Sequence, residues 1–318
     1  MTLFYSQNCE DVLLARCFEG QQTGFYVDVG AEDPDAGSVT RYFYERGWRG
    51  LNIEPTPYFW NQLQLARPRD LNLQLAASNT DHDTVELTVV QNTGLSSIDA
   101  ERRLMLAGQQ THAVESIEVQ TRRLDTLLEW ANLPRIDFLK VDVEGHELSV
   151  MQGINLLRFR PRVIVIETTE PLIHPGGRVE MAARPVPARD LDAINHLIVE
   201  AGYQNVYFDG LNTWWIDANE PQLATVFATP ANVFDTVSPM QSYRVETKLI
   251  AHIQQLRRAR EGERRVLRLQ NAQLREQQRQ LFDLDRRLQR IVQSPYWKLS
   301  APLRWLLRRL RRPNADHC

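Results

Sequence analysis

The run Gly24-Phe-Tyr-Val-Asp-Val-Gly30-Ala-Glu-Asp-Pro34, followed by Leu51-Asn-Ile-Glu54-Pro55, constrains this chain more than any other feature. It spells a short apolar strand stopped by an acid and a glycine, then a helix, then a second short strand tipped by an acid. A glycine at the strand-to-helix turn admits a ligand close to the backbone. An acid about 20 residues further on, at the tip of the next strand, suits a ribose diol. The unit lacks Gly-x-Gly-x-x-Gly spacing, because Glu32 and Pro34 follow Gly30. A pyrophosphate therefore finds no glycine-lined seat on the helix N-terminus. A nucleoside without phosphates fits better, and S-adenosylmethionine is the commonest cofactor of that kind.

The alternation continues along the chain. Strands are expected at 25–29, 50–53, 71–76, 85–90, 117–121, 136–142 and 163–167. Helices are expected at 10–18 with Ser6 as N-cap, 38–46 ended by Gly47, 58–66, 124–130, 147–157, and 191–201 ended by Gly202. Val163-Ile-Val-Ile-Glu167 is an unbroken β-branched run, as in sheets covered on both faces. The strand-like runs 205–208 and 213–216 flank Asp209-Gly210, a favoured type I′ turn pair. Alternation closed by such a hairpin predicts an α/β, doubly wound sheet with an antiparallel edge. The polar segment Gly94–Ile98 is expected to form a mobile lid or substrate loop. Residues 171–187, rich in Pro, Gly and Arg, read as an irregular connection on the ligand side, with His174 at the surface.

Charge divides the chain. Its net charge of -3 conceals 19 Lys/Arg against 7 Asp/Glu from Gln241 onward, and 18 against 33 before it. Boundaries are expected at 1–240, 241–293 and 294–318. In the second segment Leu249, Ile253, Leu256, Leu267, Leu274, Leu281, Leu284, Leu288 and Ile291 occupy a and d of one heptad frame. Arg260, Glu263, Gln270 and Gln277 interrupt that frame. A parallel homodimeric coiled coil through 249–291 is the leading reading, against a solvated single helix laced with charge pairs. After Ser294-Pro295, residues 296–312 set Leu299, Leu303, Leu306 and Leu310 on one face among arginines, with Trp297 and Trp305 nearby. That suits an in-plane helix on an anionic membrane surface, or docking onto a partner enzyme. Nucleic acid is disfavoured, because the leucine face would be wasted on phosphates. Cys9, Cys17 and Cys318 are too few for a disulfide framework, no basic-then-apolar leader opens the chain, and no membrane-spanning run exists. A cytoplasmic protein, peripheral on the inner face of the cell membrane, is expected.

Several motifs in order carry a resemblance: Ser6-Gln-Asn-Cys-Glu-Asp11, Phe25-Tyr-Val-Asp-Val-Gly-Ala31, Ser38-Val-Thr40, and Gly47-Trp-Arg-Gly-Leu-Asn-Ile-Glu-Pro55. Leu124-Asp-Thr-Leu-Leu128 and Asp137-Phe-Leu-Lys-Val-Asp-Val-Glu-Gly-His-Glu147 complete it. Together, over roughly Tyr5 to Ala218, the chain resembles the FkbM-type S-adenosylmethionine-dependent methyltransferases. The resemblance implies a Rossmann-like methyltransferase fold and methyl transfer to an oxygen, commonly a hydroxyl of a sugar or a secondary metabolite. Glu32-Asp-Pro-Asp35 stands where a second glycine often sits, as in members found with polysaccharide genes. The tail is similar to those of bacterial surface-polysaccharide enzymes.

The expected cofactor-binding set is Asp28, Gly30, Ala31, Ser38, Glu54, Pro55, Ser78 and Asp142. Gly30 would give backbone approach, Asp28 would orient the turn or the methionine ammonium, Glu54 would grip the ribose, and Ser78 would edge the adenine. Asp142, Glu144 and His146 sit where ligands of open α/β sheets bind and are the catalytic candidates, His146 with the side chain best suited to a neutral-pH base. Asp142 alternatively contacts the cofactor, and Glu144 alternatively caps the next helix. The spacing permits a carboxylate-held cation, but no second acidic cluster is visible and no metal ligand is expected. The expected function is O-methylation of a glycan or other hydroxyl-bearing acceptor, in a surface polysaccharide or its lipid-linked precursor. A small-molecule methyltransferase of secondary metabolism and a non-catalytic scaffold in a polysaccharide assembly complex are the alternatives.

Overall fold

The computed structural model describes residues 2–90, 96–97, 114–133, 135–173, 179–185, 188–235 and 237–310. They divide into two compact units, Met1–Arg244 and Val245–Cys318. The strands of the first are β1 (Thr2–Phe4), β2 (Phe25–Val29), β3 (Arg49–Ile53), β4 (Leu71–Leu73), β5 (Ala76–Ser78), β6 (Thr84–Val90), β7 (Ser96–Ser97) and β8 (Val114–Arg123). They continue as β9 (Phe138–Val141), β10 (Val163–Glu167), β11 (Thr169–Ile173), β12 (Val179–Pro185), β13 (Tyr203–Phe208), β14 (Asn212–Asp217) and β15 (Val237–Pro239). Seven of them form one sheet in the order β13-β14-β10-β9-β2-β3-β4. Its β10, β9, β2, β3 and β4 run parallel; β14 is antiparallel to β10, and β13, antiparallel to β14, points with the rest at the edge.

Successive side chains on a strand point to opposite faces, and here the alternation sorts the core. Val27, Val29, Leu139, Val141, Ile164 and Ile166 meet the helices Leu124–Ala131, Glu147–Gln152 and Ala188–Glu200 on one face. Tyr26, Phe138, Val163 and Val165 meet Leu13, Leu14, Phe18, Phe43, Trp48 and Phe227 on the other. The second face also receives Asp28 and Lys140, which stand opposite each other in the β2–β9 register. β10 is buried at every residue, as its β-branched run requires.

Other elements depart from the sequence reading. Cys9, not Ser6, is the N-cap of the first helix, Glu10–Cys17; the Ser6 hydroxyl instead donates to Asp11 Oδ1 at 2.7 Å. The next helix shrinks to Arg41–Glu45, because Thr40 is drawn away to Asp28 and Ser38 to the buried Arg67. The expected strand 71–76 splits. β4 is the edge of the main sheet, and past Leu73 the chain leaves to pair β5 with β8 in a second sheet, β5-β8-β6-β7. The helix after β9 stops at Gln152 rather than 157, since Gly153 lies where a Cβ would meet the Ser78 carbonyl at 2.1 Å. Residues 171–187 are not irregular throughout: β11 and β12 pair antiparallel, which satisfies the backbone of a segment leaving the sheet. His174 lies outside the described residues, as does all of 94–98 except β7. The β13–β14 turn is not type I′, which needs positive φ at both central residues. Only Gly210, at φ 96°, has it there, and the Asp209 carboxylate takes the N–H groups of Leu211 and Asn212.

The second unit is helical. One helix runs Met240–Gln293, Ser294 caps the next, Pro295–Leu299, by accepting from Trp297 N, and Ala301–Leu310 follows. Leu267, Leu274 and Leu281 on the heptad seam are 57%, 55% and 66% exposed. Among the described residues no helix is long and apolar enough to cross a membrane.

The Tyr26 ring occupies the space over Gly50, where an added Cβ would lie 1.9 Å from Cε2. Gly50→Ala is therefore expected to destabilise the fold by about 1–3 kcal/mol through overpacking, read as a lower urea midpoint.

Candidate cofactor and active site

Parallel strands bring their carboxyl ends to one edge, and a cleft of about 280 Å³ opens there. Its lining changes across the sheet. Toward β4 and the second sheet it is apolar, with Phe59, Leu75, Ala76, Ala77 and Leu87. Toward β9 and β10 it carries Asp142, Glu144 and Glu167, and His146 meets it beside Ser78 of β5. Val29, Gly30, Glu32, Ile53, Glu54 and Pro55 form the middle, and Gln7 reaches it from the N-terminal segment. The apolar end suits a purine, and the acidic end suits a cationic sulfonium and ammonium.

The middle is built by a tight turn. Gly30 has φ 79°, and a Cβ there would lie 1.8 Å from the Asp142 carbonyl oxygen, so only glycine fits. The N–H groups of Gly30 and Ala31 both donate to the Ile53 carbonyl, at 2.9 and 3.2 Å. Glu54 clamps the backbone on either side of the cleft floor. Its Oε2 accepts from Glu32 N at 3.0 Å, and its Oε1 accepts from Thr56 N at 2.8 Å and Thr56 Oγ1 at 2.5 Å. Burial raises its pKa against the opposing pull of these bonds. A carboxylate has about four lone-pair sites, so an oriented acceptor remains for a ribose hydroxyl. Glu32 takes a left-handed φ of 49°. Burial, reinforced by Asp142, Glu54 and Asp33 and opposed by Lys140, pushes its carboxyl up to about 7.

The acidic end is one loop and one strand tip. Glu147 folds the loop by accepting from Val143 N and Gly145 N at 3.2 and 3.1 Å. It thus closes the start of the helix, the role considered for Glu144. Glu144, at φ 57°, lines the cleft instead. His146 Nε2 lies 3.1 Å from Ser78 Oγ, which fixes the ring. Burial, then the Asp142, Glu144 and Glu147 charges, hold Glu167 well above the ordinary carboxylate range, and it hydrogen-bonds Asp142. Oxygens of Asp142, Glu144 and Glu167 lie within 4.8 Å of one another. The hydrogen bond between Asp142 and Glu167 requires a proton on one of the two acids.

Of the expected cofactor residues, the structure places Gly30, Glu54, Pro55 and Asp142 on the cleft. Asp28, Ala31, Ser38 and Ser78 are buried behind its wall. Asp28 accepts from Thr40 Oγ1 at 2.7 Å, and Ser38 Oγ accepts from Arg67 at 2.7 Å. The three catalytic candidates come together on the rim. Sequence reasoning missed Glu32, taken only for a lost glycine, and Glu167, although an acid ending an apolar strand is the signal that singled out Glu54.

The model of the methyltransferase FkbM domain matches residues 28–206, and the chain belongs to that family. It is an S-adenosylmethionine-dependent methyltransferase. No curated protein matches the chain. Among solved structures it is similar to a TehB-like SAM-dependent methyltransferase from Corynebacterium glutamicum, at 9% identity over 65% of this chain and 87% of that one, with a TM-score of 0.33. It is also similar to an O-methyltransferase from Bacillus cereus in complex with SAH, at 14% identity over 68% and 82%, with a TM-score of 0.31.

The residues present fit the cofactor: Glu54 for the ribose, the apolar end for the base, and the acids for the cationic end. Glu54→Gln is expected to weaken S-adenosylhomocysteine binding by about tenfold or more in calorimetry, because a charged acceptor becomes neutral. The raised Glu32 carboxyl predicts a pH effect on the cofactor-free protein. Its stabilising contribution is full below the unfolded value and is lost as pH rises through about 7. The contribution of Asp11, raised by burial to about 6, declines over the same range, so Glu32→Gln should make the fall in urea midpoint between acid and neutral pH shallower rather than abolish it.

Proposed function

We propose that this methyltransferase acts on a sugar hydroxyl of a bacterial cell-surface polysaccharide or its lipid-linked precursor. The observation that carries the reading is the cluster of acids, Asp142, Glu144 and Glu167, at the end of the cleft suited to the sulfonium, with His146 on the same loop as the first two. A sugar presents several hydroxyl donors, which acid oxygens accept. Transfer requires the acceptor oxygen in line with the methyl carbon, so positioning supplies much of the acceleration. The oxygen–methyl bond forms as the sulfur–methyl bond breaks, leaving S-adenosylhomocysteine, while the hydroxyl proton passes to a base. His146 is the base in this scheme, held by Ser78, with Asp142 and Glu144 orienting the acceptor.

The C-terminal unit supports a membrane-linked acceptor. Leu299, Leu303 and Leu306 are 79%, 65% and 54% exposed beside Lys298 and Arg304, a composition suited to an anionic lipid surface. The exposed heptad leucines suit a parallel homodimer, which would present two such tails at once and raise the effective concentration near the surface.

Transfer of labelled methyl groups to lipid-linked glycans on anionic vesicles tests the proposal. The full chain should label them, and a chain lacking 241–318 should bind S-adenosylhomocysteine normally yet lose most vesicle labelling. His146→Ala should lower turnover by about 100-fold. Equal activity of both chains on soluble hydroxyl metabolites, with none on glycans, would reject the reading.

A further inference from the structure

Lys140 is a charged side chain inside a parallel sheet, and it does not line the cleft. It stands directly opposite Asp28 across the β2–β9 pair. Its ammonium lies 3.5 Å from Asp28 Oδ1 and 3.2 Å from Asp142 Oδ2, and it donates to the Gly30 carbonyl at 3.2 Å. Of its three N–H donors, two serve the Gly30 carbonyl and Asp142, and Asp28 meets its charge.

The oxygens belong to different parts of the site. Asp28 is the buried acid of β2, Gly30 is the turn after it, and Asp142 follows β9. The turn and the Asp142 backbone already touch, since no Cβ fits between them. That contact sets how near they are, and it does not by itself set how the Asp142 carboxylate or the Gly30 peptide is turned. We infer that Lys140 is the positioning residue of the cofactor site, holding the Gly30 peptide and the Asp142 carboxylate in one fixed relation without touching the cofactor.

The surroundings keep it charged. Burial opposes the ammonium, but Asp142 and Asp28 outweigh that and lift its pKa above the ordinary lysine value. Glu10 on the first helix, Glu32 in the turn and Glu54 on β3 also feel its charge. Asp28 Oδ1 has no hydrogen-bond partner among the described residues, so the lysine is its counter-charge. A counter-charge and a positioning group respond differently to substitution.

The test separates stability from cofactor affinity. Lys140→Met leaves a buried carboxylate uncompensated and should lower the melting temperature; adding Asp28→Asn should recover it, because the amide oxygen still accepts from Thr40. If Lys140 positions the site, the recovered double variant binds S-adenosylhomocysteine at least about tenfold more weakly than wild type in calorimetry. Wild-type affinity in that protein would overturn the inference and leave Lys140 a partner of Asp28 alone. Should the neutral variants fail to fold, Lys140→Arg decides. A planar guanidinium keeps the charge but cannot meet the three oxygens as an ammonium does. Several-fold weaker binding in the folded Arg variant is expected, and unchanged affinity would overturn the inference.

Discussion

The cleft depends on the turn after β2 passing so close to the chain after β9 that a single methyl group would not fit between them. Gly30 permits this contact, and its backbone N–H is anchored on the Ile53 carbonyl of the neighbouring strand. Three parallel strands, β9, β2 and β3, are thereby joined at their carboxyl ends by backbone alone. Side chains then need only furnish a rigid frame. Glu54 furnishes it from the β3 side by binding Glu32 and Thr56, and Glu147 from the β9 side by closing its own loop. Both are buried acids whose pKa burial raises, while the N–H donors on their carboxylates pull the other way.

Much of this was legible in the sequence. β2 and β10 match the expected spans to the residue, because an apolar run bounded by an acid or a glycine is a local signal. Gly30, Glu54 and the 142–146 segment were likewise found by their place at strand tips. What escaped was lateral. Nothing local in 71–76 tells the chain to leave the main sheet after Leu73, since that depends on β4 being an edge and β8 offering a partner. The pairing of β11 with β12 depends on a similar distant match. Asp28 was expected to orient the turn or the methionine ammonium. Only the β2–β9 register shows that its neighbour is a lysine and that its direction is inward. Glu167 obeys the same strand-tip rule as Glu54, but its significance appears only when β10 is set beside β9.

The second unit follows a different logic. Its long helix carries apolar residues at heptad spacing but leaves those described largely uncovered, so burial within one chain supplies little of its stability. The break at Ser294 is chemical: Pro295 has no N–H to continue the ladder, and the serine hydroxyl accepts from Trp297 N in its place.

Ser78 occupies an unusual crossroads. Its hydroxyl steadies the His146 ring, its carbonyl abuts Gly153 at the end of the helix behind that ring, and its strand pairs with β8, which in turn carries β6 and Leu87. The apolar wall and the imidazole are consequently mounted on one piece. Any displacement of that wall therefore carries the imidazole with it.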